Sequence, residues 1–234
     1  MLSDDLVALQ ALDSGLDQLG HRRARLAERE VLAAAEADRD AAARRVAAAE
    51  ARRAELQASI EAAEADGVAL TRQRERLEAQ LKTVIAPREA EALMSELATI
   101  ATRRDALDDA ELEQLEEESR LDEELAAGHR AAPGLHEAVA SAASALASAE
   151  ELIGTEVAEL STARDELAAR LDAAVLADYE SRRRHYGGVA VGQLDGRRCG
   201  GCHLDLSMSE FEQVRATPPG EIADCPQCGR ILVP

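Results

Sequence analysis

Apolar side chains recur at alternating steps of three and four along most of this chain. From Leu32 the series runs through Ala35, Arg39, Ala42, Val46, Ala49, Arg53, Leu56, Ile60, Ala63, Gly67, Leu70, Arg74, Leu77, Leu81 and Val84. That spacing holds one stripe on one helix face and is the seam of a coiled coil. Upstream, Leu2, Leu6, Leu9, Leu12, Leu16 and Leu19 form another stripe, interrupted near Gly20. Arginines on the seam are predicted to lay their stems along it and carry their charged heads to water.

The pattern also predicts its own interruptions. The first helix should stop at Ile85-Ala86-Pro87, because proline disfavours helical geometry in the residue before it and itself starts a helix well. A second helix follows from Arg88, with Leu93, Leu97, Ile100 and Leu107 on its face and a phase shift at Leu112 and Leu115. Gly128 to Gly134, containing Pro133, predicts a second break. A third segment then resumes the spacing through Leu135, Val139, Ala142, Leu146, Ala149, Ile153, Val157, Leu160, Arg164, Leu167, Leu171 and Ala174.

One fold satisfies this pattern with least effort. It is mainly α, a long antiparallel coiled-coil hairpin over residues 1–185, with its tip near 85–88 and a bend at the 128–134 break. Counting back from the tip, the first arm is matched almost completely by the second and third segments. Arms of roughly 80 residues rising ~1.5 Å each make a rod of ~120 Å. An intermolecular coil is the alternative, and the near-equal arms favour the hairpin.

Residues 186–234 change character. Val189–Leu194, Asp195-Gly196 and Arg197–Cys199 read as a β-hairpin with a type I′ turn. Ser207-Met-Ser-Glu210 offers a capping box for a short helix carrying Met208, Phe211 and Val214, ended by Pro218-Pro219-Gly220. Glu221–Asp224 and Arg230–Val233 are candidate strands. This is a small β-rich module without a sufficient core of its own, so a metal is expected to supply much of its folding energy.

Its chemistry lies in four cysteines, the only ones in the chain: Cys199 and Cys202 in Cys-Gly-Gly-Cys, Cys225 and Cys228 in Cys-Pro-Gln-Cys. Two C-x2-C pairs at this separation fit one structural Zn²⁺ held by four thiolates. A disulfide framework would need export, and the N-terminus shows no cationic and apolar leader pattern, so the expected location is the cytoplasm. Cys199-Gly-Gly-Cys202-His203 also matches the haem-attachment pattern, but that reading leaves the second pair unexplained. His203 is read as a neighbour of the zinc site and not a ligand.

Composition narrows the classes further. Of 234 residues 50 are alanine, and the only aromatics are Tyr179, Tyr186 and Phe211. That suits closely packed helices and not a conventional globular core. No apolar stretch is long enough to span a membrane. Residues 1–180 carry 20 basic and 40 acidic side chains, and residues 181–234 carry seven and six, so the net −19 resides in the helical part. An acidic shaft repels nucleic acid along its length. The densest basic cluster is Arg182-Arg183-Arg184, with Arg197 and Arg198 as further candidates for holding RNA phosphates.

The whole chain resembles the bacterial C4-type zinc-ribbon family with an N-terminal coiled-coil hairpin. The resemblance rests on the stretch from Lys82 to Leu97 around the tip, on Glu111-Leu-Glu-Gln-Leu-Glu-Glu-Glu118, on Tyr179-Glu-Ser-Arg182, and on Cys225-Pro-Gln-Cys-Gly-Arg-Ile-Leu232 with the cysteine spacing. It implies a non-enzymatic adaptor in gene regulation. Some members are linked to flagellar gene control, to an alternative sigma factor of the nitrogen type, and to mRNA. The ligand set Cys199, Cys202, Cys225 and Cys228 carries over to this chain.

Four functional readings follow. The first is an adaptor or scaffold for a protein partner of unknown identity, with Ile85, Pro87, Arg88 and Glu89 at the tip as candidate contacts. Val84 and Ile85 could equally cap the coil. The second is an RNA-binding regulator using the basic neck at 182–184 and the ribbon; there the bland alternative is a solvated helix end, whose cations complement the helix dipole. The third is a factor that inserts its coil into RNA polymerase, which the shortage of acids at the tip opposes. The fourth is an enzyme. The histidines His21, His129, His136, His185 and His203 are scattered, no phosphate loop or nucleophile motif is present, and a four-cysteine zinc site has no open position. No small-molecule substrate is expected.

Overall fold

The computed structural model describes residues 2–218 and 221–233. Four helices come first: α1 (Leu2–Ala24), α2 (Ala27–Leu81), α3 (Pro87–Ala168) and α4 (Ala173–His185). Then come β1 (Val191–Asp195), β2 (Arg198–Cys199), α5 (Met208–Arg215) and β3 (Ile231–Val233). The long helices are bent. The chain divides into two compact units, residues 32–142 and residues 1–31 with 143–234.

The first unit is an antiparallel helix pair joined by the turn at residues 82–86. Its buried seam uses Ala49, Leu56 and Leu77 of α2 against Ile100, Leu125 and Ala142 of α3. Polar pairs fix the register: Arg52 holds Glu117 through two bonds of 2.7 and 3.0 Å, Gln114 donates to Ser59 at 2.9 Å, and Arg104 donates to the Gly67 carbonyl at 2.8 Å. Each pairing joins residues nearly equidistant from the turn, so this unit follows the counted register.

The predicted break at 128–134 does not occur, and α3 runs through Pro133 without interruption. Proline removes one ladder bond and bends a helix. Strong alanine-rich turns on both sides and the partner helix hold the ladder elsewhere. Gly128 has a different use: a Cβ there would lie 2.4 Å from the Val46 side chain, so glycine admits the close approach of the two helices.

In the second unit the breaks fall elsewhere. The N-terminal helix breaks at Arg25–Leu26, while Gly20, near which the apolar stripe is interrupted, stays helical. The third segment does not run on to Ala174 as one helix. It ends at Ala168, and Asp172 caps a new helix by accepting from the Ala174 N–H at 2.8 Å. At the far end of α4, Gly188 N–H bonds the Arg183 carbonyl at 2.8 Å and Gly187 takes φ 67°, a Schellman ending that turns the chain into the ribbon.

The ribbon has a three-stranded sheet in the order β2-β1-β3, antiparallel on one side and parallel on the other. Among the described hairpin residues only Gly196 has positive φ, with Arg197 following normally. The turn is therefore of II′ character and not the predicted I′. The Ser207–Glu210 capping box forms as expected. Val214 is buried and Phe211 half-buried, but Met208 points out at 61% exposure. Of Glu221–Asp224 only Asp224 pairs, as an isolated bridge to Ile231. Pro219 and Gly220, expected to end α5, lie outside the described residues; the helix itself ends at Arg215.

Candidate metal centre and the base that carries it

Each cysteine pair sits in a tight knuckle, and the two knuckles repeat one another. Cys199 N–H donates to the Leu204 carbonyl at 3.0 Å, and Cys225 N–H to the Arg230 carbonyl at 2.8 Å. The first-cysteine carbonyl accepts from the residue after the second cysteine, His203 N–H on Cys199 and Gly229 N–H on Cys225, both at 2.8 Å. That residue turns left-handed in both, with φ 64° at His203 and 73° at Gly229. Gly229 is needed twice over, since a Cβ there would lie 2.5 Å from the Tyr186 hydroxyl. His203 tolerates the same geometry at some strain.

The knuckles bring the four sulfurs within 4.8 Å of one another. A tetrahedral zinc with ~2.3 Å bonds places its sulfurs ~3.8 Å apart, which this grouping accommodates. The cluster comprises the four cysteines and no histidine. Cys199 and Cys225 are buried, packed with Leu206, Val214 and Leu232 in the ribbon's small core. Burial pushes the Cys225 thiol up to about 12. Burial works the same way on Cys228, but bonds from the Arg230 backbone and side chain outweigh it and draw that thiol down to about 7. The donor set, its burial and its doubled knuckles fit a structural zinc ion, which would hold the ribbon together as four thiolates.

With that geometry in place the comparisons decide the family. Residues 9–187 match the CT398-like coiled coil hairpin domain and residues 198–232 the C4-type zinc ribbon domain. The chain belongs to the CT398-like coiled-coil hairpin family. An uncharacterised protein of Mycobacterium tuberculosis is 31% identical over 97% of this chain and 93% of its own length. A solved structure from Mycobacterium smegmatis is 25% identical with a TM-score of 0.79, covering 99% of this chain and 97% of that one. CT398 from Chlamydia trachomatis, 21% identical over 99% of this chain and 96% of its own, has the same fold with a TM-score of 0.82.

In this member the ribbon is docked on the helical base by polar contacts. Gln10 of α1 accepts from Ala190 N–H at 2.6 Å and Val191 N–H at 3.2 Å, and donates to the Gly188 carbonyl at 2.9 Å. It thus supplies the start of β1, beyond the reach of β2, with partners a strand would otherwise give. Leu6 and Leu9 of α1, Leu167 of α3 and Tyr179 of α4 form one core with Val191, Ile231 and Val233 of the sheet.

Asp13 lies at the centre of this base, 2% exposed. It accepts from the Tyr179 hydroxyl at 2.6 Å and from Arg164 Nε at 2.8 Å, with Arg183 Nε 3.5 Å away. Arg164 also pairs with Glu180. Arg164 was expected to carry its head to water; it turns inward because a buried carboxylate waits for it. Burial, together with Asp13, holds the Tyr179 phenol well above its ordinary range.

The neck arginines are drawn into the same architecture. Arg183 holds Asp17 through two 2.8 Å contacts. Arg182 pairs with Asp178 at 2.9 Å and with Asp224, and donates to the Gly229 carbonyl at 3.0 Å. Arg184 and Arg197 are exposed and have no ion-pair partner among the described residues, and Arg198 donates to the His203 carbonyl at 2.8 Å. Arg230, not singled out from sequence, stacks 4.6 Å from the Tyr186 ring and donates to the Val189 carbonyl at 2.8 Å. At the turn, Val84 is half-buried while Ile85, Pro87, Arg88 and Glu89 are exposed. Among the described residues no helix is long and apolar enough to cross a membrane.

Proposed function

We propose that this chain is a non-enzymatic, zinc-stabilised adaptor of the cytoplasm that binds a protein partner. The carrying observation is the use made of Arg182 and Arg183, whose guanidinium groups are occupied by Asp178, Asp224, Asp13 and Asp17. An arginine engaged with internal carboxylates is not free to neutralise phosphates. That removes two of the three cations from the neck site on which an RNA reading depends. A closed four-thiolate site offers no position for water or substrate, which supports a structural and not a catalytic zinc. The RNA reading retains only Arg184, Arg197 and Arg198.

A tagged full-length chain recovered from its native host, with half the sample treated with RNase, tests the proposal. A protein recovered at near-stoichiometric yield in both halves is the expected result. Recovery that collapses with RNase, with RNA dominating the untreated half, overturns it.

A further inference from the structure

The turn between α2 and α3 leaves a large apolar side chain without cover. Ile85 is 96% exposed, whereas its neighbour Val84 is tucked against the coil. Of the two capping roles open to this pair, only Val84 takes one. The turn is also well fixed. Thr83 N–H and Val84 N–H both donate to the Gln80 carbonyl, at 2.9 and 3.1 Å, and the Thr83 hydroxyl donates to it at 2.9 Å. On the other side Pro87 restricts its own φ, and Ala90 N–H closes the first helical turn on the Ala86 carbonyl at 3.1 Å.

Two cations flank this isoleucine. Lys82 and Arg88 are exposed and have no ion-pair partner among the described residues. No acid occurs between Glu78 and Glu89, in a chain with 46 acidic residues and a net charge of −19. The turn therefore presents an apolar knob between two positive charges, at the end of an otherwise acidic helix pair.

We infer that the turn inserts Ile85 into an apolar socket on a folded protein partner, with carboxylates on the socket rim meeting Lys82 and Arg88. The inference rests on the adaptor reading above and names its contact surface. Withdrawing Ile85 from water is the source of affinity. A turn already fixed in place loses little conformational freedom on binding. The charges help select the partner: an acidic rim is attracted to Lys82 and Arg88 at the turn. Nucleic acid is a poorer match, because residues 82–89 contain no aromatic ring on which a base could stack.

The test places a photo-crosslinking amino acid at position 85 of the full-length chain, and separately at Met208 on the ribbon, and irradiates cells of the native host. Position 85 is expected to join one protein, at a peptide where apolar residues lie beside Asp or Glu. With that protein purified, Ile85→Ala should weaken binding about 10–100-fold. Ile85→Val should stay within about threefold. Lys82→Gln with Arg88→Gln should weaken binding and remove most of its salt dependence. Crosslinks to RNA, to a second copy of this chain or to a polar or basic surface overturn the inference, as does silence at position 85 or unchanged affinity in Ile85→Ala. A protein crosslinked at 208 with nothing at 85 overturns the tip alone and leaves the adaptor reading standing. RNA at both positions overturns both.

Discussion

Two basic groups stand at helix ends in this molecule, and they use their charge in opposite ways. At the neck, Arg182 and Arg183 are turned inward onto Asp178, Asp224, Asp17 and Asp13. At the turn, Lys82 and Arg88 have no ion-pair partner among the described residues, and Ile85 between them is bare. The neck has the denser cluster in sequence but the less available one in space. Charge density in a sequence measures only what could bind. Availability depends on which carboxylates the fold pairs with each cation: α1 brings Asp13 and Asp17 onto the neck, whereas Lys82 and Arg88 form no ion pair among the described residues.

At the neck the charge is spent on holding the structure and at the turn it faces water, a contrast that can be attacked at several strengths. Zinc removal is expected to have the largest effect. Structural zinc sites contribute on the order of 10 kcal/mol of apparent binding energy, so a chelator should unfold the ribbon. Hydrogen exchange should then rise across residues 191–233 and stay unchanged across residues 32–142. Metal analysis before chelation should find one zinc per chain.

Asp13→Ala comes next. It leaves the buried Tyr179 hydroxyl without its acceptor and half-buried Arg164 with Glu180 in place of two carboxylates, at a cost of about 3 kcal/mol. Equilibrium unfolding in urea should show this as a lower midpoint. A smaller, signed contrast tests the helix pair. Glycine to alanine in a helix ordinarily stabilises by up to ~1 kcal/mol, and Gly134→Ala should do so because its Cβ meets nothing. Gly128→Ala should lose that gain and about 1 kcal/mol more, because its Cβ enters the stiff Val46 side chain. Smallest of all, Ile85→Ser should leave the unfolding midpoint within ~0.5 kcal/mol of the parent, since that side chain touches nothing it could lose.

The coil and the metal site were legible in the sequence because both depend on short, periodic signals. The three-four spacing, Pro87 and the two C-x2-C pairs each act locally, and the structure follows them at the turn, the seam and the knuckles. Pro133 misled because a proline's effect depends on its surroundings: within a long alanine-rich helix held by a partner, losing one ladder bond does not end the helix. The base was missed although a signal existed. Asp13 continues the spacing of Leu2, Leu6 and Leu9, and Arg164 stands on the seam of the third segment, on the other arm and a few residues farther from the turn. Opposite charges on two facing seams are a signal for a pair between the arms. Gln10 carried no such mark, because its partners are backbone groups of β1 that only the docked ribbon brings near.

The neck arginines hold the base together. Tyr179 and Tyr186 are the only tyrosines, and there is no tryptophan, so tyrosine emission reports on the base alone. The most direct measurement is urea unfolding of Arg183→Ala beside the parent, followed by that emission. A loss of about 1–3 kcal/mol is expected, because Asp13 and Asp17 lose a shared partner. An unchanged midpoint, together with loss of RNA binding in the same variant, would contradict it and return the neck to nucleic acid.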